Sequence, residues 1–335
     1  MRFKGGVNVG IFNMTGERVS VRDLPIHFQE VNDGIADSVV TALNPEHDYF
    51  ICFDQLDLGF SVTDPTYGER LIGLILAARE LGQRAREADR RMSVIVFLRD
   101  DIYDLLQFED KNKITENHLS SISWSQSSGD FTLKSLMERR FSVALEENAR
   151  WEEVFDEERQ MPSRQTKYAH ICDRTFLRPR DIIKFCNVIL TAHKERVGGE
   201  RDLFRNDDLH AARNQYSEYL LSELDDEIHK HVPEYREYLE VLKTLGKTEF
   251  SQREFEETWT SRAILREADA PATVGLRELF EFSVIGYLKP GGRGGGSKYV
   301  WRYFDPRARF NDDADTYRIH PGLKEALDLR TSRAR

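Results

Sequence analysis

The sequence predicts an α/β fold, with a small parallel sheet followed by a helical region and then by an α+β module. Two short apolar segments, residues 49–53 and 92–98, flank a helical pattern at residues 68–91. Strand, helix and strand at this spacing are typical of a parallel βαβ unit. Helical patterns fill the middle of the chain. Near the C-terminus, two helical patterns precede a hairpin whose tip, residues 291–296, reads GGRGGG.

The composition of the 335 residues limits the classes of protein to consider. A hydrophobic fraction of 40% and a charged fraction of 32% are typical of a globular protein. The net charge of −10 argues against a nucleic-acid footprint over the whole surface. The three cysteines, Cys52, Cys172 and Cys186, are too scattered for a disulfide framework or a zinc site. Without a membrane span or a signal-peptide pattern, a cytoplasmic protein with no membrane partner is expected.

The N-terminal elements follow from apolar spacing. Residues 7–12 are β-branched and flanked by glycine, which predicts an edge strand or a hairpin arm. Residues 26–43 carry apolar side chains at helical spacing. Asn44 and Pro45 end that helix, and the first strand of the βαβ unit follows. Both strands of the unit are expected to be buried.

The middle of the chain reads as helix after a polar connector at residues 109–130. One helical pattern covers residues 133–158 and another covers residues 175–197, which Gly198 and Gly199 terminate. His170 and His193 lack metal-ligand spacing and are expected to be structural. The sequence predicts three domains: a partial sheet core at residues 1–130, a helical subdomain at 131–205, and a helical linker with an α+β module at 206–335.

The C-terminal module has the pattern of a winged helix-turn-helix. Its predicted elements are helices at 207–230, 249–265 and 274–282, strands at 284–290, 298–304 and 316–320, and a closing helix from Pro321. The six-residue glycine-rich tip is too long for a tight two-residue turn. It suits a mobile wing.

The segment ICFDQLDLGF, residues 51–60, is the most informative in the chain. An apolar strand that ends in Asp54 places this carboxylate at the C-terminal edge of the sheet, where open α/β sheets bind ligands. In P-loop nucleotidases this is the Walker B position, which helps to hold the magnesium of bound ATP. Asp57 is a second carboxylate. In the alternative interpretation, both acids only cap the turn from strand to helix.

Arg99 follows the second strand, and an arginine there can neutralise charge that develops in phosphoryl transfer. Alternatively, Arg99 pairs with Asp54, Asp100 or Asp101 and completes a charge cluster at the sheet edge. Asp100 and Asp101 are expected to begin the following helix, where acids complement the helix dipole.

Arg178 and Arg180 lie at the start of a helix, in LRPRD. From there, an arginine can reach the phosphates of a nucleotide. The alternative is a solvated helix start with Pro179 at the first helical position.

The predicted wing is basic. Arg293, Lys298 and Arg302 are the candidate contacts to a nucleic-acid backbone, which they would bind without reading sequence. In the alternative interpretation the module binds protein. The helix that would read bases carries Glu278 and Glu281, which suit a major groove poorly. This favours the protein-binding role.

Taken together, ICFDQLDLGF, VIVFLRDDIYDLL, LRPRDIIKF and FSVIGYLKPGGRGGGSKYVW resemble the STAND class of P-loop ATPases and the related initiator-type AAA+ ATPases. The resemblance implies an incomplete P-loop NTPase sheet, a helical lid and a winged-helix domain. It implies ATP and Mg²⁺ as cofactors, with Asp54 beside the metal, Arg99 as sensor and Arg178 or Arg180 as lid arginine. It also implies nucleotide-driven self-association.

Two departures from the family matter. The glutamate that often follows the Walker B aspartate is Gln55 here, which leaves Asp57 as the nearest candidate base for water. No G-x-x-x-x-G-K-[ST] loop precedes the strand, so the family's phosphate-binding segment is missing. The chain is a fragment, or a partner supplies a Walker A segment, or nucleotide binding has been lost. We expect a signalling or defence switch that is inactive alone; the alternative is a non-enzymatic DNA-binding regulator.

Overall fold

The computed structural model divides into two compact units, Met1–Glu109 and Asp110–Arg335. The sequence places the boundaries elsewhere, near residues 130 and 205. The residues that the structure describes are 24–57, 65–122, 124, 132–162, 164–198, 202–228, 232, 234–262, 271–291, 296–305 and 307–331. The strand predicted at residues 7–12 lies outside them.

The first unit contains the predicted βαβ arrangement. Its elements are α1 (Leu24–Ala42), β1 (Asp48–Phe53), α2 (Pro65–Glu87), β2 (Arg91–Val96) and α3 (Asp100–Leu105). The two strands pair in parallel, with Asp48 opposite Arg91 and Phe53 opposite Val96. The prediction of two parallel strands joined by a helix is therefore confirmed.

The sheet of the first unit is covered on one face only, as far as the described residues show. Tyr49, Met92 and Val94 pack with Val40 of α1 and Ala85 of α2 on that face. On the opposite face of the sheet, an apolar row is exposed to solvent: Phe50, Cys52, Ile95 and Phe97. The prediction of buried strands is wrong for these residues, because both helices lie against the other face.

The second unit contains eight described helices, α4 (Lys111–His118), α5 (Leu133–Leu145), α6 (Lys167–Cys172), α7 (Pro179–Val197), α8 (Asn206–Ile228), α9 (Tyr235–Leu245), α10 (Gln252–Arg262) and α11 (Ala272–Glu281). Short 3-10 helices lie at Trp151–Glu153 and Pro321–Leu323. Four strands, β3 (Glu249–Ser251), β4 (Ile285–Lys289), β5 (Lys298–Val300) and β6 (Thr316–Ile319), form an antiparallel sheet in the order β3-β6-β4-β5.

Two helix ends show how local residues decide the fold. Pro179 is the first residue of α7, and Gly198 ends that helix in the left-handed region at φ 63°, as predicted. The helix predicted at 133–158 begins as predicted but is too long, because α5 ends where Glu146 enters the left-handed region at φ 55°. The chain then turns so that Trp151 can stack on Phe155 inside the core, with ring centroids 4.1 Å apart.

One core runs across residue 205 and joins α7 to α8. The rings of Phe185 and Tyr216 stack with centroids 4.1 Å apart. The buried carboxylate of Asp208 on α8 accepts a hydrogen bond from Arg196 Nε at 2.7 Å and lies 3.2 Å from His193 Nδ1. Burial alone would raise the pKa of Asp208, but these partners outweigh it and hold the pKa below its usual value. The predicted boundary near residue 205 therefore falls inside the second unit.

Gly286 of β4 occupies a position that excludes any side chain. A Cβ built there would lie 2.6 Å from Trp301 Cδ2 and 2.7 Å from the backbone oxygen of Val300. Because the second of these atoms belongs to the backbone, the clash cannot be relieved by a rotamer change. The close approach fixes the indole of Trp301 over the strand.

We therefore predict that Gly286→Ala lowers the free energy of unfolding by about 2 kcal/mol, through overpacking. Urea denaturation followed by circular dichroism measures this change. Gly296→Ala is the control, since a Cβ there meets nothing within 4 Å. It should change stability by less than about 0.5 kcal/mol. Equal midpoints for the two variants would contradict the packing argument.

Candidate functional site

The carboxyl edge of the parallel sheet brings together the ends of β1 and β2. Asp54 is the first residue after β1. Phe97 N donates a hydrogen bond to Phe53 O at 2.8 Å, which extends the pairing one step beyond β2, and Arg99 follows two residues later. Because parallel strands end at the same edge, Asp54 and Arg99 both follow the edge at which open α/β sheets bind ligands.

The turn after β1 has an unusual backbone. Asp54 Oδ1 accepts a hydrogen bond from the backbone N–H of Gln55 at 2.7 Å, and Gln55 lies in the left-handed region at φ 58°. A residue with a Cβ adopts this conformation rarely. Tyr67 of α2 donates its hydroxyl hydrogen to Leu56 O at 3.0 Å, which ties the turn to the crossover helix. The side chains of Asp54 and Asp57 are both exposed.

Arg99 lies between β2 and α3. Its backbone is extended, and its carbonyl accepts a hydrogen bond from Tyr103 N at 3.0 Å, so it is the N-terminal cap residue of α3. Asp100 is the first residue of that helix, as predicted. The side chain of Arg99 is exposed at the same edge as Asp54. The edge thus presents a carboxylate and a guanidinium to solvent.

The donor chemistry of this edge suits a hard cation only in part. Mg²⁺ is commonly held by one or two carboxylates together with substrate phosphates and water, and Asp54 offers such a carboxylate. Among the described residues, no group of three or more His, Cys, Asp or Glu side chains is arranged to hold a metal ion. A magnesium ion at Asp54 would therefore take most of its ligands from a nucleotide and from water.

Arg178 and Arg180 lie in the second unit, at the start of α7, and are bonded to acids of α8. Arg178 donates to both carboxylate oxygens of Glu227, at 2.7 and 3.2 Å, and Arg180 donates to the same carboxylate at 2.6 Å. Arg180 also lies 3.3 Å from Glu223. The side chain of Glu227 is only 17% exposed. Neither arginine is a freely solvated charge at a helix start.

The basic residues of the predicted wing divide into three cases. Arg293 lies outside the described residues. Arg302 lies 3.3 Å from a carboxylate oxygen of Glu281 and donates a hydrogen bond to the backbone oxygen of Ala308 at 3.1 Å, so it is bound within the module. Lys298 is exposed and lies directly opposite Lys289 across the β4–β5 pair, and Lys289 is also exposed.

Two polar residues of the second unit make buried contacts that the sequence did not predict. Lys167 is fully buried, and its ammonium donates to the backbone oxygens of Asp156 and Arg159, the second at 2.7 Å. Burial lowers the pKa of Lys167. His170 accepts a hydrogen bond from Arg213 at 3.0 Å. Neither contact could be predicted from a sequence motif, because lysines are usually exposed and the partner of His170 is 43 positions away.

Residues 132–225 match the family model described as the FunZ-associated C-terminal helical domain. The match covers α5, α6, α7 and most of α8, and it includes no part of the first unit. Neither a curated protein nor a solved structure matches the chain. In the described part of the chain, no helix is both long and apolar enough to cross a membrane.

The exposed row on the sheet predicts a difference among the three cysteines. Cys52 is exposed, whereas Cys172 and Cys186 are 1% and 5% exposed, and burial raises the pKa of the Cys186 thiol. Because thiol reactivity requires access and thiolate character, Ellman's reagent should modify one thiol quickly and the other two only after unfolding.

Cys52→Ser should abolish the fast phase, and Cys186→Ser should leave it intact. A native protein in which no thiol reacts quickly would show that this face of the sheet is covered in solution.

Proposed function

We propose that this chain is the C-terminal portion of a STAND/AAA+-like P-loop ATPase that acts in the cytoplasm as a signalling or defence switch. The observation that carries the proposal is the parallel pair β1–β2, which is followed at one edge by Asp54 and Arg99. A carboxylate and a guanidinium at the carboxyl ends of adjacent parallel strands suit a bound magnesium nucleotide.

Each residue of the edge has a role in this proposal. Asp54 would hold the magnesium ion, which neutralises phosphate charge when it is bound. Arg99 would neutralise charge that develops on the transferred phosphoryl group. Asp57 is the nearest carboxylate that could orient a water, since Gln55 replaces the usual glutamate. The left-handed backbone at Gln55 supports a functional turn, because such conformations concentrate at ligand sites.

A Walker A segment from elsewhere would complete the site. In the described part of the chain, β1 and β2 pair only with each other, so each has an unpaired edge. Parallel sheets are normally covered on both faces. Here Phe50 is 68% exposed and Phe97 is 43% exposed on the uncovered face. An additional strand that carries a phosphate-binding loop would satisfy both the open sheet and the missing part of the nucleotide site.

The helices α5 to α7 would form the lid, and the ion pairs at the start of α7 would be its resting arrangement. Arg178 and Arg180 share the carboxylate of Glu227. Phosphate oxygens accept the same forked hydrogen bonds as a carboxylate. A nucleotide would therefore compete with Glu227 for these arginines and couple its binding to a shift of α7 against α8, which suits a switch that self-associates.

The C-terminal sheet with α9, α10 and α11 would be the winged-helix domain, with the β4–β5 hairpin as its wing. Protein binding is the favoured role. Arg277, on the helix that would read bases, bonds Asp312 at 2.8 Å, and Arg302 is held by Glu281. These cations are already neutralised within the module and contribute little to attraction of a phosphate backbone.

The nucleotide role predicts the following results for ATP turnover. The chain alone should show no magnesium-dependent turnover, because it lacks the loop that holds the β- and γ-phosphates. A polypeptide extended at its N-terminus by an upstream segment that encodes G-x-x-x-x-G-K-[ST] should hydrolyse Mg·ATP. Asp54→Asn should slow that reaction by roughly 100-fold or more, since the metal supplies several kcal/mol of stabilisation.

The matched control is Asp48→Asn, which removes an exposed carboxylate at the other end of the same strand. It should alter turnover less than about twofold, because its ion pair with Arg91 is exposed. Turnover by the chain alone that is lost in Asp54→Ala, or an extended polypeptide insensitive to Asp54→Asn, would overturn the proposal.

A second candidate function, DNA binding through the hairpin, is favoured by one observation. Lys289 and Lys298 are exposed and directly opposite each other. Like charges at such a pair of positions destabilise a hairpin unless an anion lies nearby. Phosphates of duplex DNA would supply that anion without base recognition.

If this second candidate is correct, the chain binds duplex DNA with an affinity that falls steeply with salt. Changing Lys289 and Lys298 together to Ala should lower the slope of log K against log salt by about 2, one for each phosphate contact. Fluorescence anisotropy measures both quantities. Lys243→Ala, on α9, should leave the slope unchanged. Absence of salt-sensitive binding by the unaltered chain excludes this candidate.

A further inference from the structure

Four basic side chains meet where α6, α8 and the C-terminal segment come together. They form the basic cluster: His170, Arg174, His210 and Arg213. His170 belongs to α6, Arg174 follows it, and His210 and Arg213 lie one turn apart on α8. The charges of Arg174, Arg213 and His210 all act on His170, which shows that the four groups share one electrostatic environment.

Arg174 is paired with a carboxylate. Its guanidinium donates to both oxygens of Glu325, at 2.6 and 2.9 Å, and its side chain is 6% exposed. A bidentate pair of this kind uses both carboxylate oxygens. No hydrogen bond joins Glu325 to Arg213 in the described residues, although the charge of Glu325 acts on that guanidinium and opposes the lowering of its pKa.

Arg213 has no carboxylate partner among the described residues. Its Nη2 donates to Nε2 of His170 at 3.0 Å, and its Nε is buried without a hydrogen-bond partner. Burial and the charge of Arg174 lower the pKa of Arg213 to about 10, which still leaves it charged at neutral pH. Its only hydrogen-bond partner in the described structure is thus an imidazole.

That imidazole carries no charge. Burial, together with the charges of the neighbouring basic groups, lowers the pKa of His170 to about 3. His170 is therefore neutral at physiological pH and orients Arg213 without neutralising it. A half-buried guanidinium has lost part of its hydration, and a neutral acceptor supplies no opposite charge that would compensate for this loss.

Other partly buried arginines of this chain show the contrast. Arg84, Arg196 and Arg302 have side chains that are 24%, 26% and 21% exposed, and each bonds a carboxylate. Arg213 departs from this pattern, as does Arg90, which among the described residues bonds only the backbone oxygen of Ala88. Beside it, His210 is exposed, so the basic cluster opens to solvent at that point.

We infer that the basic cluster is a binding site for a phosphate-type oxyanion, which Arg213 holds through the guanidinium N–H groups that have no hydrogen-bond partner in the described structure, with His210 at the entrance. The planar guanidinium presents forked donors that match a tetrahedral oxyanion. The site lies within the segment that matches the FunZ-associated helical domain, and all four of its residues belong to the second unit.

Thermal unfolding of the full chain in sodium phosphate, compared with sodium chloride of equal ionic strength near neutral pH, tests the site. Phosphate at about ten times its Kd should raise the Tm of the unaltered chain by roughly 3 to 6 °C. In Arg213→Met the rise should disappear. The Tm of this variant in chloride should equal or exceed that of the unaltered chain, since an uncompensated charge has been removed.

Arg253→Met is the matched control, because Arg253 is exposed and pairs with Glu257 on α10. It should retain the full phosphate response. The inference is overturned if phosphate leaves the Tm of the unaltered chain unchanged, or if Arg213→Met responds to phosphate as strongly as the unaltered chain.

A second measurement covers the case in which Arg213→Met fails to fold. Calorimetric titration of the unaltered chain with inorganic phosphate should give saturable binding, and Arg213→Lys should weaken it about tenfold through loss of the fork. No saturable heat with the unaltered chain overturns the site.

Two sources of the oxyanion are separated by repeating the titration with ADP without magnesium. If ADP binds more tightly than inorganic phosphate and this binding is lost in Arg213→Lys, the site is assigned to a nucleotide phosphate. Binding of inorganic phosphate alone assigns it to the free anion. Arg253→Met should leave both titrations unchanged, which separates binding at this site from unspecific binding to surface arginines.

Discussion

One buried side chain, His320, links the helical part of the second unit to the segment of its antiparallel sheet. It is fully buried, and its ring contacts those of Phe176, Trp301 and Tyr303 with centroids 4.5, 5.6 and 5.1 Å apart. Burial lowers its pKa to about 3, so the ring is neutral, and its Nδ1 accepts the backbone N–H of Gly322 at 3.2 Å. A neutral ring can join aromatic neighbours from two separate segments at no cost in buried charge.

The two units show opposite ways of using apolar residues. The second unit buries a continuous core that includes residues from α5 to the last 3-10 helix. The first unit leaves Phe50, Ile95 and Phe97 exposed over a sheet of only two described strands. An isolated pair of strands is marginally stable in water. The open face is therefore the strongest physical reason to infer that the parallel sheet functions with an additional covering segment.

The sequence predicted elements best where a local residue fixes a boundary. Pro179 and Gly198 delimit α7, and two apolar runs with a crossover helix predict the parallel pair β1–β2. It failed where tertiary contacts decide. Nothing local to residues 133–158 shows that Trp151 will stack in the core, and an apolar strand does not reveal which face will be covered.

In the candidate site, too, some features could be predicted from local sequence patterns and others depend on tertiary contacts. The positions of Asp54 and Arg99 at one edge follow from strand order, which apolar patterning reveals. The shared partner of Arg178 and Arg180 could not be predicted in this way, because Glu227 lies 49 and 47 positions away from them. The same is true of Arg213 and His170. Ion pairs between distant helices depend on packing that no short motif encodes.

The placement of charge also explains why the helical segment and the C-terminal segment act as one body. Arg174 is paired with Glu325, 151 positions later, and Ala326 N donates to the hydroxyl of Ser217 on α8 at 2.9 Å. Breaking a buried ion pair leaves an uncompensated charge, which is strongly destabilising. The Arg174–Glu325 pair and the Ala326–Ser217 hydrogen bond therefore resist a shift of the C-terminal segment against α8. The helix α8 also carries Arg213 and Glu227, to which Arg178 and Arg180 are bonded, so the C-terminal segment and these arginines contact the same helix.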